Sequence, residues 1–180
     1  VLLIEDIYVE YLTEPVKVYN FQVEDYHTYY VGENGILVHN ATYPPETLDK
    51  LENTENFTEK AIEHIFNGEV NKKGRGTGYH YDGIEGSPGK IIDGTRGTPN
   101  EFGIYEGKVE VNGVAKTANK GKSTFFPDDM TPQQVVDTIN EAYDTKVLIG
   151  DQYKGTAKNG MKVCMYLDSN LKIISAFPES

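Results

Sequence analysis

The 180-residue chain predicts an α+β fold: a domain with N-terminal helices and antiparallel β-sheets over residues 41–180, behind a short all-β segment over residues 1–40. Three observations carry this. Residues 1–40 are built from β-branched and aromatic runs broken by turn residues. Apolar residues recur at helical spacing around 57–66 and again after Thr131. The chain closes on a hairpin, so helical segments lead and hairpins follow.

In chain order, VLLIEDIYVEYL, PVKVYNFQV and TYYVGENGILVHN read as strands, punctuated at Glu14-Pro15 and at Glu33-Asn34-Gly35. A polar, proline-containing lead-in follows. Phe57, Ala61, Ile62, Ile65 and Phe66 then predict an amphipathic helix over about 58–67, with Asn56 or Thr58 as its cap and Gly68 as its stop. From Gly68 to Asn100 the chain is glycine-rich and irregular, with short extended pieces such as KIIDGTR. Tyr105, Gly107, Val109 and Val111 alternate with Glu106, Lys108 and Glu110, a half-exposed strand leading into an Asn112-Gly113 turn.

Thr131 opens the clearest helix. Pro132 stands at its first position, Thr131 and Gln134 have capping-box spacing, and Val135, Val136, Ile139, Ala142 and Tyr143 share one face. MKVCMYL and LKIISAF form the closing hairpin around Asp168-Ser169-Asn170.

Composition narrows the function. With 38% hydrophobic and 25% charged residues and no low-complexity tract, the chain is globular and long enough to bury an ordinary core. A net charge of −11 argues against indiscriminate nucleic-acid binding. The charge is uneven, however: residues 1–40 hold seven acids and one base, whereas 70–122 hold nine bases and six acids, a setting that can still take a polyanion. Cys164 is the only cysteine, so an internal disulfide and a cysteine-based zinc site are excluded, and it reads as a small residue in a strand. No apolar run approaches membrane-spanning length. The start lacks a basic region and a long apolar core, and reads like a strand from the middle of something larger.

The chemistry gathers in Glu63–Gly86, EHIFNGEVNKKGRGTGYHYDGIEG. His64 and His80 lie sixteen positions apart, and one continuous helix would hold them roughly 24 Å apart on nearly opposite faces. Gly68, Gly74, Gly76 and Gly78 with Asn71 forbid that helix. His64 is therefore expected near a helix end, and His80 on a loop or strand that folds back, with Lys72, Lys73 and Arg75 between them. Cutting RNA without a metal needs a base for the ribose 2′-OH, an acid for the leaving 5′-oxygen and a cation for the charge on phosphorus. Two imidazoles and a lysine meet that need. The candidates are His64, His80 and either Lys120 or Lys122 in NKGKSTFF. Asp82 and Glu85, close to His80, leave a metal-dependent histidine nuclease as the nearest rival, although no paired carboxylates or histidine cluster stand at ligand spacing. A passive autoprocessing or binding segment is the non-catalytic alternative. Tyr79 and Tyr81 could stack on a base but read as packing residues.

Two stretches carry family resemblance. VYNFQVEDYHTYYVGENGILVHN, from Val18 to Asn40, resembles the C-terminal end of Hint domains, the self-cleaving modules related to inteins. There the asparagine amide, here Asn40, attacks its own peptide carbonyl with help from the preceding histidine, here His39, and would release Ala41. The half of a Hint domain that holds its cysteine nucleophile is absent, so residues 1–40 are expected to be an inert remnant. His27 and His39 then have no part in the second domain.

EHIFNGEVNKKGRGTGYHYDG, IIDGTRGTPNEFGIYEGKVEV, GKSTFFPDDMTPQQVVDTINEAY and KIISAFP resemble the bacterial EndoU nucleases, toxin tips of polymorphic and contact-dependent inhibition systems. Relatives include eukaryotic EndoU and the coronavirus uridylate-directed endoribonuclease. The resemblance spans Phe57 to Pro178 in family order.

It implies an EndoU-like fold with His64, His80 and Lys122 as catalytic residues, His80 as base and His64 as acid. Ser175 and Phe177 match the family's Thr/Ser-x-Tyr motif that positions and stacks on uracil; phenylalanine keeps the aromatic face and loses the hydroxyl. Period-2 alternation would put Leu171, Ile173, Ser175 and Phe177 on one strand face, although Phe177 could equally be a core residue. Thr124, or Ser123 beside it, is a further substrate-binding candidate. The resemblance also implies metal-independent cleavage of RNA 3′ of uridine or another pyrimidine to a 2′,3′-cyclic phosphate, with no cofactor and no action on DNA. The expected partner is a cognate immunity protein with an acidic contact surface. The expected setting is secretion as the tip of a larger protein, with action in the target-cell cytoplasm.

Overall fold

A computed structural model describes residues 28–31, 36–39 and 48–180, with side chains from residue 48 on. The chain divides into two compact units, Val1–Thr42 and Tyr43–Ser180. In the first, β1 (Thr28–Val31) and β2 (Ile36–His39) pair antiparallel, with Thr28 opposite His39 and Val31 opposite Ile36. The expected earlier strands, both turns, His27, Asn40 and the boundary at Asn40/Ala41 lie outside the described residues.

Among its described residues the second unit holds two α-helices, two four-stranded antiparallel sheets and a two-stranded hairpin, so the α+β expectation is met. Its first helix, α1 (Ala61–Phe66), is shorter than predicted and lacks the expected cap. Lys60 occupies the cap position with no side-chain hydrogen bond, because Asn56 and Thr58 are drawn into backbone pairing instead: Thr58 N–H donates to Ile173 and Ile173 N–H donates to Asn56. Gly68 does end the helix, in left-handed conformation (φ +68°) and with its N–H donating to Glu63. A small hairpin follows, β3 (Glu69–Val70) with β4 (Gly76–Thr77).

The first sheet is β5 (Gly89–Ile91), β6 (Tyr105–Val111) and β7 (Val114–Ala115), with β8 (Lys122–Phe125) also paired to β6. β6 buries Tyr105, Gly107, Val109 and Val111 as its alternation predicts. Asn112 (φ +50°) and Gly113 (φ +75°) form the turn into β7, the backbone that an Asn-Gly hairpin requires. Tyr79, Tyr105, Val109, Val111 and Phe125 make a small core against this sheet.

Helix α2 (Pro132–Asp144) carries the predicted capping box: Gln134 N–H donates to Thr131 Oγ1 (3.2 Å) and Thr131 N–H donates to Gln134 Oε1 (2.7 Å). Its buried Val135, Val136, Ile139 and Ala142 belong to the main core, which also takes in Ile65 and Phe66 of α1 and Tyr81. The second sheet joins that core. In spatial order it runs β12 (Ile173–Pro178), β11 (Lys162–Leu167), β10 (Gln152–Thr156) and β9 (Val147–Ile149).

One expected face is corrected here. Tyr166 pairs with Ser175 but Leu167 pairs with Ile173, so Ile174 is an extra residue on β12. Such a bulge reverses the alternation at that point. Ile173 turns into the core while Ser175 and Phe177 face the other way, and Leu171 stands in the turn at φ +62°, exposed. The four residues do not share a face.

Candidate active site

The histidines are brought together by backbone pairing. Tyr79 N–H donates to the His64 carbonyl (2.9 Å) and His80 N–H to the Ile65 carbonyl (2.7 Å), which lays the 78–80 segment along α1. The approach needs a glycine: a Cβ on Gly78 would stand 2.1 Å from the His64 carbonyl oxygen, and φ there is +74°. The imidazole centroids end 6.5 Å apart, their planes tilted by 41°.

Each ring is oriented by its Nδ1. His80 Nδ1 lies 2.9 Å from the Thr124 carbonyl. A carbonyl can only accept, so Nδ1 carries the proton and neutral His80 keeps a lone pair on Nε2. His64 Nδ1 lies 3.2 Å from Glu69 Oε1. The turn at Gly68 is what returns Glu69 to the helix it has just left.

Both histidines are held below the ordinary value of 6.5, foremost by burial. His80, only 5% exposed, is lowered strongly, with the Lys116 ammonium next in weight and the Thr124 carbonyl opposing. In His64 the Glu69 carboxylate works against burial by stabilising the imidazolium, and Lys116 lowers it further.

A cleft of about 1170 Å³ opens over this pair. Its lining includes His64, His80, Lys122, Ser123, Thr124, Ser175 and Phe177, all singled out in the sequence. The Phe177 ring stacks on His80 at 5.1 Å and 22°, and lies tilted against Tyr166 at 6.2 Å. It is half-buried and outside both core clusters, which decides against the core reading. The Lys122 ammonium forms an ion pair with Glu106 at 2.9 Å at the cleft rim. Of the two candidate lysines, Lys122 and not Lys120 is among the lining residues.

Other candidates fall elsewhere. Lys72, Lys73 and Arg75 are exposed at the tip of the β3–β4 hairpin and do not line the cleft. Tyr79 and Tyr81 pack, as expected, in the two cores; Tyr79 donates to Asp82 and Tyr81 to the Met130 carbonyl (2.6 Å). Asp82, the carboxylate nearest His80 in sequence, is held by Tyr79 and Arg96 (3.8 Å) outside the cleft lining. Among the described residues, no three His, Cys, Asp or Glu side chains gather in a way that could hold a metal ion. The His39 strand is described but its side chain is not.

Three site residues escaped the sequence reading. Glu69, five residues after His64, could have been found from the Gly68 helix stop. Lys116 and Glu106 carried no local signal, since each reads as an ordinary strand-surface charge. Lys116 follows β7, and its Nζ donates to Ser123 Oγ (2.7 Å) and the Gly78 carbonyl (3.3 Å). Ser123 is buried and itself donates to the Gly78 carbonyl (3.0 Å).

Comparison with known proteins gives a consistent set of matches. The bacterial EndoU nuclease family matches residues 58–180, and the pretoxin HINT domain matches residues 1–41. A Bacillus cereus protein named "Toxin" is 48% identical over 134 residues, which is 74% of this chain and 25% of that protein. The chain thus spans about a quarter of that relative's length. No solved structure matches the chain.

Proposed function

Since the chain belongs to the bacterial EndoU nuclease family, we propose that its second domain is a toxin that cleaves RNA without a metal, by attack of the 2′-OH on the adjacent phosphate. His80 is the base. Its Nδ1 proton is committed to the Thr124 carbonyl, its Nε2 lone pair is free, and burial keeps it neutral at the working pH. His64 is the acid that protonates the leaving 5′-oxygen, and Glu69 on its far nitrogen supports the imidazolium this role needs. Lys122 stabilises the charge on phosphorus, exchanging Glu106 for a phosphate oxygen.

Phe177 and Ser175 hold the base 5′ to the cut, a uracil or another pyrimidine. The products are a 2′,3′-cyclic phosphate and a 5′-hydroxyl. The single observation that carries this reading is the pair of imidazoles 6.5 Å apart over one cleft, with opposite means of setting their protonation.

The HINT match over residues 1–41 and the toxin relative support a nuclease released, at Asn40/Ala41 in this reading, from a larger secreted protein and acting in the cytoplasm of a competing cell. A toxin of that kind is held in check at home by a cognate immunity protein. His64→Ala and His80→Ala should each lower cleavage of an RNA oligonucleotide by roughly two to four orders of magnitude with unchanged circular dichroism. An active, folded His80→Ala would overturn the mechanism.

A further inference from the structure

We propose that Lys116 is a second phosphate-binding cation of this site, its ammonium taking a non-bridging oxygen of the phosphodiester between the two imidazoles. The assignment rests on the reading of the cleft as a site of RNA cleavage, and it names a residue which that reading does not use.

The geometry is that of a cation waiting for an anion. Lys116 lines the cleft, half-buried, and two of its three ammonium protons go to neutral acceptors, Ser123 Oγ and the Gly78 carbonyl. Those two acceptors hold the ammonium between the segment leading to His80 and the strand that begins at Lys122. Other lysines of the cleft are differently placed: Lys122 is paired with Glu106, Lys154 with Glu179, and Lys60 is exposed to solvent just before α1. No carboxylate among the described residues forms an ion pair with Lys116.

A partly desolvated ammonium without a counter-ion is costly, and burial pushes this one down to about 8. The groups it acts on most directly are His64 on α1 and His80 on its loop. The same cleft holds Lys122 on β8, with Glu69 and Glu106 engaged by His64 and Lys122, Glu179 engaged by Lys154, and Glu59 and Lys60 exposed to solvent. Lys116 lowers both imidazoles. A phosphate on Lys116 would supply the missing counter-ion and offset that effect on both rings, favouring the protonated His64 that the acid step needs, while burial, the larger cause at His80, still disfavours protonation of the base.

The experiment uses the full chain labelled with 13C at the lysine Cε, with inorganic phosphate as the probe. Lys116 is assigned by its loss in Lys116→Met. Saturating phosphate should raise the Lys116 titration midpoint by about one unit or more, and Lys116→Met should weaken phosphate binding about tenfold by the same linkage. Lys90→Met, on exposed β5 surface, is the control and should leave binding unchanged.

An unmoved Lys116 midpoint, while phosphate shifts the histidines or Lys122, would overturn the proposal; so would the absence of any phosphate response in the cleft. The wild-type titration decides even if Lys116→Met folds poorly, and Lys116→Arg should recover the phosphate binding that Lys116→Met loses. RNA cleavage is measured separately. A Lys116 response without cleavage would remove the nuclease reading and leave the anion site, whereas cleavage without a Lys116 response would do the reverse.

Discussion

Removing the Phe177 ring tests three consequences of its position at once. The ring lies face to face with His80 at 5.1 Å and stands half-buried outside both cores. For Phe177→Ala the stability loss should therefore be that of an aromatic contact, about 0.5–1.5 kcal/mol, and not the 3–5 kcal/mol, roughly, of a core phenylalanine. In a domain of this size that is a fall of a few degrees in Tm.

Loss of stacking on the substrate base should remove about 1–3 kcal/mol of binding, or about one to two orders of magnitude in cleavage, along with any uridine bias. Finally, the ring helps bury His80, and burial is the chief cause of that histidine's lowered proton affinity. Admitting water should shift the acid limb of the cleavage profile towards 6.5. Tm and single-turnover cleavage of a single-uridine RNA, measured on the same samples from acid to neutral pH, read all three. A large loss of stability with an unchanged rate per folded molecule and an unmoved acid limb would refute the stacking role. Phe177→Tyr should be tolerated.

Four further outcomes can be checked, three of them from the same geometry. Both imidazoles are held below 6.5, and the reaction needs His80 unprotonated and His64 protonated, so kcat/KM should peak below pH 6.5 and fall towards alkali as His64 loses its proton; an optimum above about pH 7.5 would contradict the assigned roles. The unfolded chain takes up these protons first, so stability should be fully present above 6.5 and decline as pH falls below it, read as a lower Tm at about pH 5.5 than at about pH 7. Lys122→Ala should lower kcat by roughly two orders of magnitude while Lys120→Ala, which does not line the cleft, leaves it intact; the opposite result would reassign the lysine. A polypeptide of these 180 residues alone, whose one cysteine is Cys164, should not release residues 1–40 on incubation, and a fragment beginning at Ala41 that Asn40→Ala abolishes would show that segment to be active.

What could be read from the sequence was local. The Thr131 capping box, the β6 alternation and its Asn112-Gly113 turn, and the Gly68 helix stop each depend on residues a few positions apart. Each appears in the fold where expected. The α1 cap was missed because Asn56 and Thr58 pair with Ile173, more than a hundred residues away. The face of β12 was missed because one inserted residue, Ile174, reverses the period of two, and nothing in KIISAF marks it.

The site divides the same way. Family motifs picked out His64, His80, Lys122, Thr124, Ser175 and Phe177, and the fold gathers them in one cleft. Lys116 belongs to no such motif. Its place in the cleft comes from a long side chain reaching Ser123 and Gly78, where no carboxylate among the described residues forms an ion pair with it, a fact of tertiary structure alone.

The central claim, metal-independent attack by a ribose 2′-OH, is tested most directly by one oligonucleotide. An RNA with a single uridine, incubated with the chain in chelator, should be cut 3′ of that uridine to leave a 2′,3′-cyclic phosphate and a 5′-hydroxyl, identified by mass. Replacing the uridine with deoxyuridine should abolish cleavage at that bond. A 5′-phosphate end, dependence on a divalent cation, or cutting of the deoxyuridine strand would contradict the account.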